Sequence, residues 1–105
     1  MKFLKITKHN QLFFDGMKEN PAQFVEPLKE HNEWLKKMKE EGKLIDAYFI
    51  PGDGRCFLIF ECETAQELDN LILKDPMELT FTAEMYPAIP LFDHIEDAFN
   101  AKIGK

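Results

Sequence analysis

His31 occupies a position where a packing helix normally carries a leucine. It lies in the stripe Phe24, Leu28, His31, Leu35, Met38, whose steps of four, three, four and three keep all five on one helical face. Glu30, Glu33, Lys36, Lys37, Lys39 and Glu40 fill the other faces, as on a surface helix that presses one side onto a core. An inward-pointing imidazole is either a structural histidine bonded to backbone or a general acid/base at the edge of a pocket. Trp34 flanks the stripe, placed for packing, for an interface or for the wall of a binding site. Asp46 and Tyr48 stand two residues apart, and Glu84 and Tyr86 repeat that spacing, so on strands each acid shares a face with its phenol. Acids facing an enclosed space must be paired or solvated, and Lys5 is a candidate partner. Such groups form ion pairs at a dimer interface, or they orient a substrate and move a proton on a small unsaturated acid or lactone.

Other chemistries have little support. Serine is absent from the chain, which removes serine hydrolase chemistry. Gly52-Asp53-Gly54 is too short for a phosphate-binding loop and sits in a turn. His31 and His94 by themselves give no specific haem signal. Cys56 and Cys62, six positions along one strand, would be roughly 20 Å apart and cannot form a bridge. Both read as buried thiols, with no CxxC partner and no histidine at metal-ligand spacing, so neither a metal nor any other cofactor is expected.

At 105 residues the chain is expected to form a single domain over residues 1–105, with 91–105 as a C-terminal helical tail. Its 45% hydrophobic and 30% charged residues argue against disorder. A net charge of -6 argues against a nucleic-acid partner, because phosphate binding needs a clustered basic surface and the lysines of the first helix are interleaved with glutamates. No stretch approaches the ~20 apolar residues of a membrane span, and the start Met1-Lys2-Phe3-Leu4-Lys5-Ile6 alternates like a strand instead of resembling a signal peptide. A cytoplasmic protein without membrane partners is the expectation.

The elements that must position these groups follow from local signals. Residues 3–7 read as a strand, followed by a loop through Asn10 and Gly16. A helix starts near Asn20-Pro21, with Gln23 placed to complete a capping box, and ends at Gly42; Pro27 removes one backbone bond and can delay its regular part. Residues 44–50 and 56–62 form a hairpin around Pro51-Gly52-Asp53-Gly54. Thr64 caps a second helix, with Glu67 three residues on, and that helix buries Leu68, Leu71 and Ile72 and stops at Asp75-Pro76. Residues 79–86 form the last strand, and Leu91, Ile95 and Phe99 mark a terminal amphipathic helix.

The order is βαββαβ plus a tail: an α+β, ferredoxin-like antiparallel sheet with its helices on one face. Alternation assigns Leu4, Ile6, Ile45, Ala47, Phe49, Cys56, Leu58, Phe60, Cys62, Leu79, Phe81, Ala83 and Met85 to the helix-covered face. Phe3, Lys5, Asp46, Tyr48, Ile50, Phe57, Ile59, Glu61, Thr80, Thr82, Glu84 and Tyr86 fall on the other. That second face is too apolar for water and too polar for a dry core, so a second copy of the chain is expected to cover it. The resulting homodimer, or a higher oligomer built from it, would enclose a pocket for a small organic ligand.

The Gly42-Lys43-Leu44 step after the first helix, the hairpin turn and the Asp75-Pro76 closure resemble the dimeric α+β barrel superfamily. Within it, His31-Asn32-Glu33-Trp34-Leu35 up to Glu41-Gly42-Lys43-Leu44 resembles the YCII-related proteins. The opening Met1-Lys2-Phe3-Leu4 strand and the element order resemble muconolactone isomerase-like proteins. The resemblance runs from residue 1 to about residue 93. It implies a His31/Asp75 pair as an active site, with the two side chains within ~5 Å or sharing a water. The sequence departs from the YCII-related pattern in lacking an Ala-Gly-Pro step after Ile50 and in a longer segment before the first helix. Two functions follow. One is a cofactor-independent isomerase or lyase acting on a small organic acid or lactone in a dimer-enclosed pocket, with His31 and Asp75 catalytic and Trp34, Asp46, Tyr48, Glu84 and Tyr86 binding substrate. The other is a non-catalytic ligand-binding or accessory module.

Overall fold

The structure, a computed structural model, describes residues 1–102. Strand β1 (Lys2–His9) is followed by helices α1 (Gln11–Glu19) and α2 (Val25–Glu40), strands β2 (Leu44–Phe49) and β3 (Cys56–Glu61), helix α3 (Ala65–Ile72), strand β4 (Phe81–Ala88) and helix α4 (Leu91–Lys102). The four strands form one antiparallel sheet in the order β2-β3-β1-β4, so the α+β, ferredoxin-like arrangement holds. The core is Phe3, Met38, Leu44, Leu58, Phe60, Cys62, Leu68 and Ile72, which places α2 and α3 together on one sheet face.

Segment 10–19 is a helix where a loop is expected. Asn10 starts it by accepting from the Phe13 N–H, and Gly16 is buried because the Phe24 ring lies where a Cβ would stand. Gly16 thus serves close approach rather than a turn. The capping box at Asn20 does not form: the Gln23 amide instead donates to the Gly16 and Asn20 carbonyls at the end of α1. Residues Pro21–Phe24 form a 3₁₀ turn, and α2 begins at Val25, so Pro27 falls in its first turn, where a missing N–H costs nothing. The last strand begins at Phe81 because Glu78–Thr80 forms another 3₁₀ turn.

The phase of β1 is opposite to the expected one. Its register pairs Phe3 with Phe60, Lys5 with Leu58 and Thr7 with Cys56, so Phe3, Lys5 and Thr7 lie under the helices and Leu4 and Ile6 on the open face. Alternation alone favours the two aliphatic residues for the core. Lys5 can take the inward position because Glu78 meets its ammonium at 2.6 Å. A register shift between Leu44 and Asp46 likewise turns Ile45 outward, and Leu79, in the 3₁₀ turn, is exposed.

Helix α4 carries the expected apolar residues Leu91, Ile95 and Phe99, yet buries none of its side chains. The radius of gyration is 17.1 Å, against about 13 Å for a compact chain of this length. Residues 103–105 of the expected 91–105 tail lie outside the described residues.

Helix α3 starts as expected from Thr64, whose hydroxyl accepts from the Glu67 N–H at 3.1 Å, while the Glu67 carboxylate returns to the Glu63 N–H at 2.9 Å. Lys43 at the foot of β2 adds an ion pair to Glu67 at 2.7 Å, fixing α3 beside the sheet. Replacing Thr64 by Ala is expected to cost about 1 kcal/mol in urea denaturation, the usual loss for an N-cap hydroxyl.

Candidate functional site

His31 and Asp75 come from separate elements and meet at 2.7 Å, imidazole Nδ1 to carboxylate Oδ1. His31 sits two turns into α2, and Asp75 lies at the exit of α3, where its own N–H bonds back to the Ile72 carbonyl at 2.9 Å. The same Oδ1 accepts from the Met77 N–H at 3.0 Å, so Asp75 forms the turn after α3 and holds the imidazole with one atom. Its side chain is only 2% exposed. A carboxylate can only accept, so Nδ1 carries the proton and Nε2 is the nitrogen left with a lone pair.

The pair borders a cavity of about 240 Å³ between α2 and the helix-covered face of the sheet. Its walls are mostly apolar, among them Leu35, Phe49, Leu58, Phe60 and Phe81, and its polar groups are Lys5, Thr7, His31, Trp34, Tyr48 and Asp75. Trp34 therefore joins His31 and Asp75, while Tyr48 borders the cavity from the edge strand with its phenol turned to the open face, paired in register with Phe57. Asp46, Glu84 and Tyr86 do not line this cavity. Asp46 accepts from the Tyr48 hydroxyl at 2.7 Å, and Glu84 accepts from the Tyr86 hydroxyl at 3.0 Å, on the two edge strands of the sheet. Those bonds push both phenols above their ordinary range, and with the Ala47 N–H they hold the Asp46 carboxyl below its own. Lys5 pairs with neither acid, because the phase of β1 puts it on the opposite face. The site bearing His31 thus lies beneath a helix of one chain, not in a space between two sheets.

Lys5 and Thr7 are the residues that sequence reasoning left out of this site. Their signal was present in the strand itself: Phe3, Lys5 and Thr7 share one parity, and register decides which parity faces inward.

A ladder of rings runs beside the cavity. Phe81 lies between His31, at 5.6 Å between centroids, and His9, at 5.1 Å, and His9 stacks on Phe13 at 3.7 Å. The His9 Nδ1 is buried without a partner among the described residues. Burial, and then the nearby charge of His31, lowers the pKa of His9.

A family described as a domain of unknown function, DUF3303, matches residues 1–96. The chain belongs to the DUF3303 family. Among solved structures, muconolactone isomerase matches with a TM-score of 0.73 at 14% identity, over 86% of this chain and 90% of that one. The 5-chloro-2-hydroxyhydroquinone dehydrochlorinase TftG from Burkholderia phenoliruptrix AC1100, in complex with 2,5-dihydroxybenzoquinone, matches with a TM-score of 0.59 at 21% identity, over 85% of this chain and 94% of that one. No curated protein matches the sequence. At these identities the similarity establishes the fold alone, an α+β arrangement like that of muconolactone isomerase. Among the described residues no helix is long and apolar enough to cross a membrane.

Two outcomes follow from these contacts. Asp75→Ala leaves the buried Met77 N–H without its acceptor and is expected to cost about 1–3 kcal/mol in urea denaturation, with Asp75→Asn, which keeps a carbonyl oxygen, costing less. For His9 the folded pKa lies below the unfolded value of 6.5, so between the two the unfolded chain binds the extra proton. Its contribution to stability is complete above pH 6.5 and is lost as pH falls through the depressed folded value. His9→Phe should flatten the decline in stability as pH falls below 6.5, followed by denaturation at each pH.

Proposed function

We propose that this protein is a cofactor-independent enzyme that moves a proton on a small organic molecule, in the manner of an isomerase or lyase. The observation that carries this is the 2.7 Å contact of His31 Nδ1 with the buried Asp75 beside an apolar cavity. Nε2 is the base. It takes a proton from a carbon next to a carbonyl, and the electron pair of the broken C–H bond moves onto the carbonyl oxygen. The imidazolium then returns the proton to another carbon of the conjugated system, or a leaving group departs with the electron pair. No electrons leave the substrate overall. Asp75 remains ionised and acts as a positioning residue: it fixes the tautomer and offsets the transient positive charge on the ring.

The fold is shared with one protein named as an isomerase and another named as a dehydrochlorinase, both compatible with this class of step. The cavity suits it as well, since excluding water strengthens the His31/Asp75 interaction and the apolar walls leave the base as the main acceptor. We assign Trp34 and Tyr48 to the walls of the substrate site. Asp46, Glu84 and Tyr86 belong, in this reading, to a homodimer interface on the open face, where Leu4, Ile6, Phe57 and Ile59 are half-buried and Tyr48 and Tyr86 are exposed.

The test is solvent exchange at carbon. Small unsaturated acids and lactones incubated with the protein in deuterium oxide should gain deuterium next to the carbonyl, observed by proton NMR. His31→Gln should reduce the rate by about 10²–10⁴-fold, the usual contribution of a positioned acid/base. Exchange that is absent across the panel, or unchanged in His31→Gln, favours the non-catalytic binding module, in which Asp75 serves only to form its turn.

A further inference from the structure

Lys5 is 3% exposed, yet it lines the cavity on a sheet face that it shares with Phe3, Thr7, Cys56, Leu58 and Phe60. Its ammonium donates to Glu78 Oε2 at 2.6 Å and to no other group among the described residues, so two of its three N–H donors are unspent. A buried ion pair holds a sheet together no better than two apolar residues of the same volume, which makes packing a weak reason for this one.

The polar groups of the cavity are unbalanced toward donors. Asp75 Oδ1 is occupied by His31 and Met77. The Trp34 indole N–H is buried and unpartnered among the described residues. Against the unspent Lys5 and Trp34 donors the acceptors left among the described residues are His31 Nε2 and the second oxygen of Asp75. A ligand that satisfies the site therefore brings acceptors, and beside a buried cation it brings them with negative charge.

We propose that the cavity binds a small planar monoanion, a carboxylate or an enolate on a single ring, and that Lys5 is the residue that holds its charged oxygen. The volume of about 240 Å³ equals the share of roughly eight liquid waters at ~30 Å³ each, room for one ring and below the range of sites for drug-sized ligands. Glu78 has the complementary task of holding Lys5 stationary while the site is empty. The inference rests on the proposed use of this cavity as a substrate site and names its ligand class. It gives the loop after α3 two carboxylates with parallel duties, Asp75 on the base and Glu78 on the anchor.

Binding of benzoate and of its neutral isostere benzamide, by isothermal titration calorimetry, tests this without reference to turnover. The natural protein should bind benzoate about ten- to a hundredfold more tightly than benzamide, the usual worth of one hydrogen bond to a charged group. Lys5→Met with Glu78→Gln, a double change that leaves no buried charge unpaired, should erase that preference while benzamide affinity stays the same. His31→Gln should retain the preference, which separates this proposal from the one on proton transfer: exchange can be lost while anion binding persists. Equal affinities for the two probes in the natural protein, no saturable benzoate binding, or a preference that survives the double change overturns it.

Discussion

One carboxylate oxygen fixes the geometry on which this structure depends. Asp75 Oδ1 accepts from both the His31 ring and the Met77 N–H. Because the side chain is almost fully out of water, leaving either donor unmet would cost more than the bond itself contributes, so turn and imidazole are held to one position. The turn then directs the chain through Met77, 1% exposed, and sets Glu78 over Lys5. Asn10 secures the far end of the segment, its backbone N–H on the Thr80 carbonyl and its side-chain amide on the Leu79 carbonyl, each at 2.8 Å. Loop 75–80 thereby ties α2, α3, β1 and the start of α1 to one point.

That arrangement explains why a lysine tolerates the underside of a sheet. A lone ammonium there would carry an uncompensated desolvation cost, whereas a carboxylate at 2.6 Å supplies the missing counter-charge. The consequence is an apolar cavity carrying a base, a cation and few acceptors. The Asp75 oxygen that shapes the turn is the one that bonds the histidine ring.

Much of the fold was legible in local sequence. The hairpin at Gly52 and Gly54 (both with positive φ), the Thr64 cap and the termination at Asp75-Pro76 rest on short-range chemistry, in which neighbours within a few residues decide the outcome. Segment 10–19 was misread because Gly16 looks like a turn residue until Phe24 is placed against it. That contact joins residues eight positions apart across a bend, outside any local pattern.

For the site, the sequence by itself determined that His31 faces inward, since helical periodicity fixes a side chain's face from its own spacing. It determined that an acid and a tyrosine share each of two strand faces, and the resemblance supplied Asp75 as the partner of His31. Only the tertiary structure decided which parity of β1 turns inward. Alternation gives two faces without saying which is covered, and here Glu78, seventy-three positions away, reverses the hydrophobic preference by pairing with Lys5. The same register separates Asp46, Glu84 and Tyr86 from the histidine and puts Lys5 and Thr7 beside it, because strand pairing is a long-range choice made by the whole sheet.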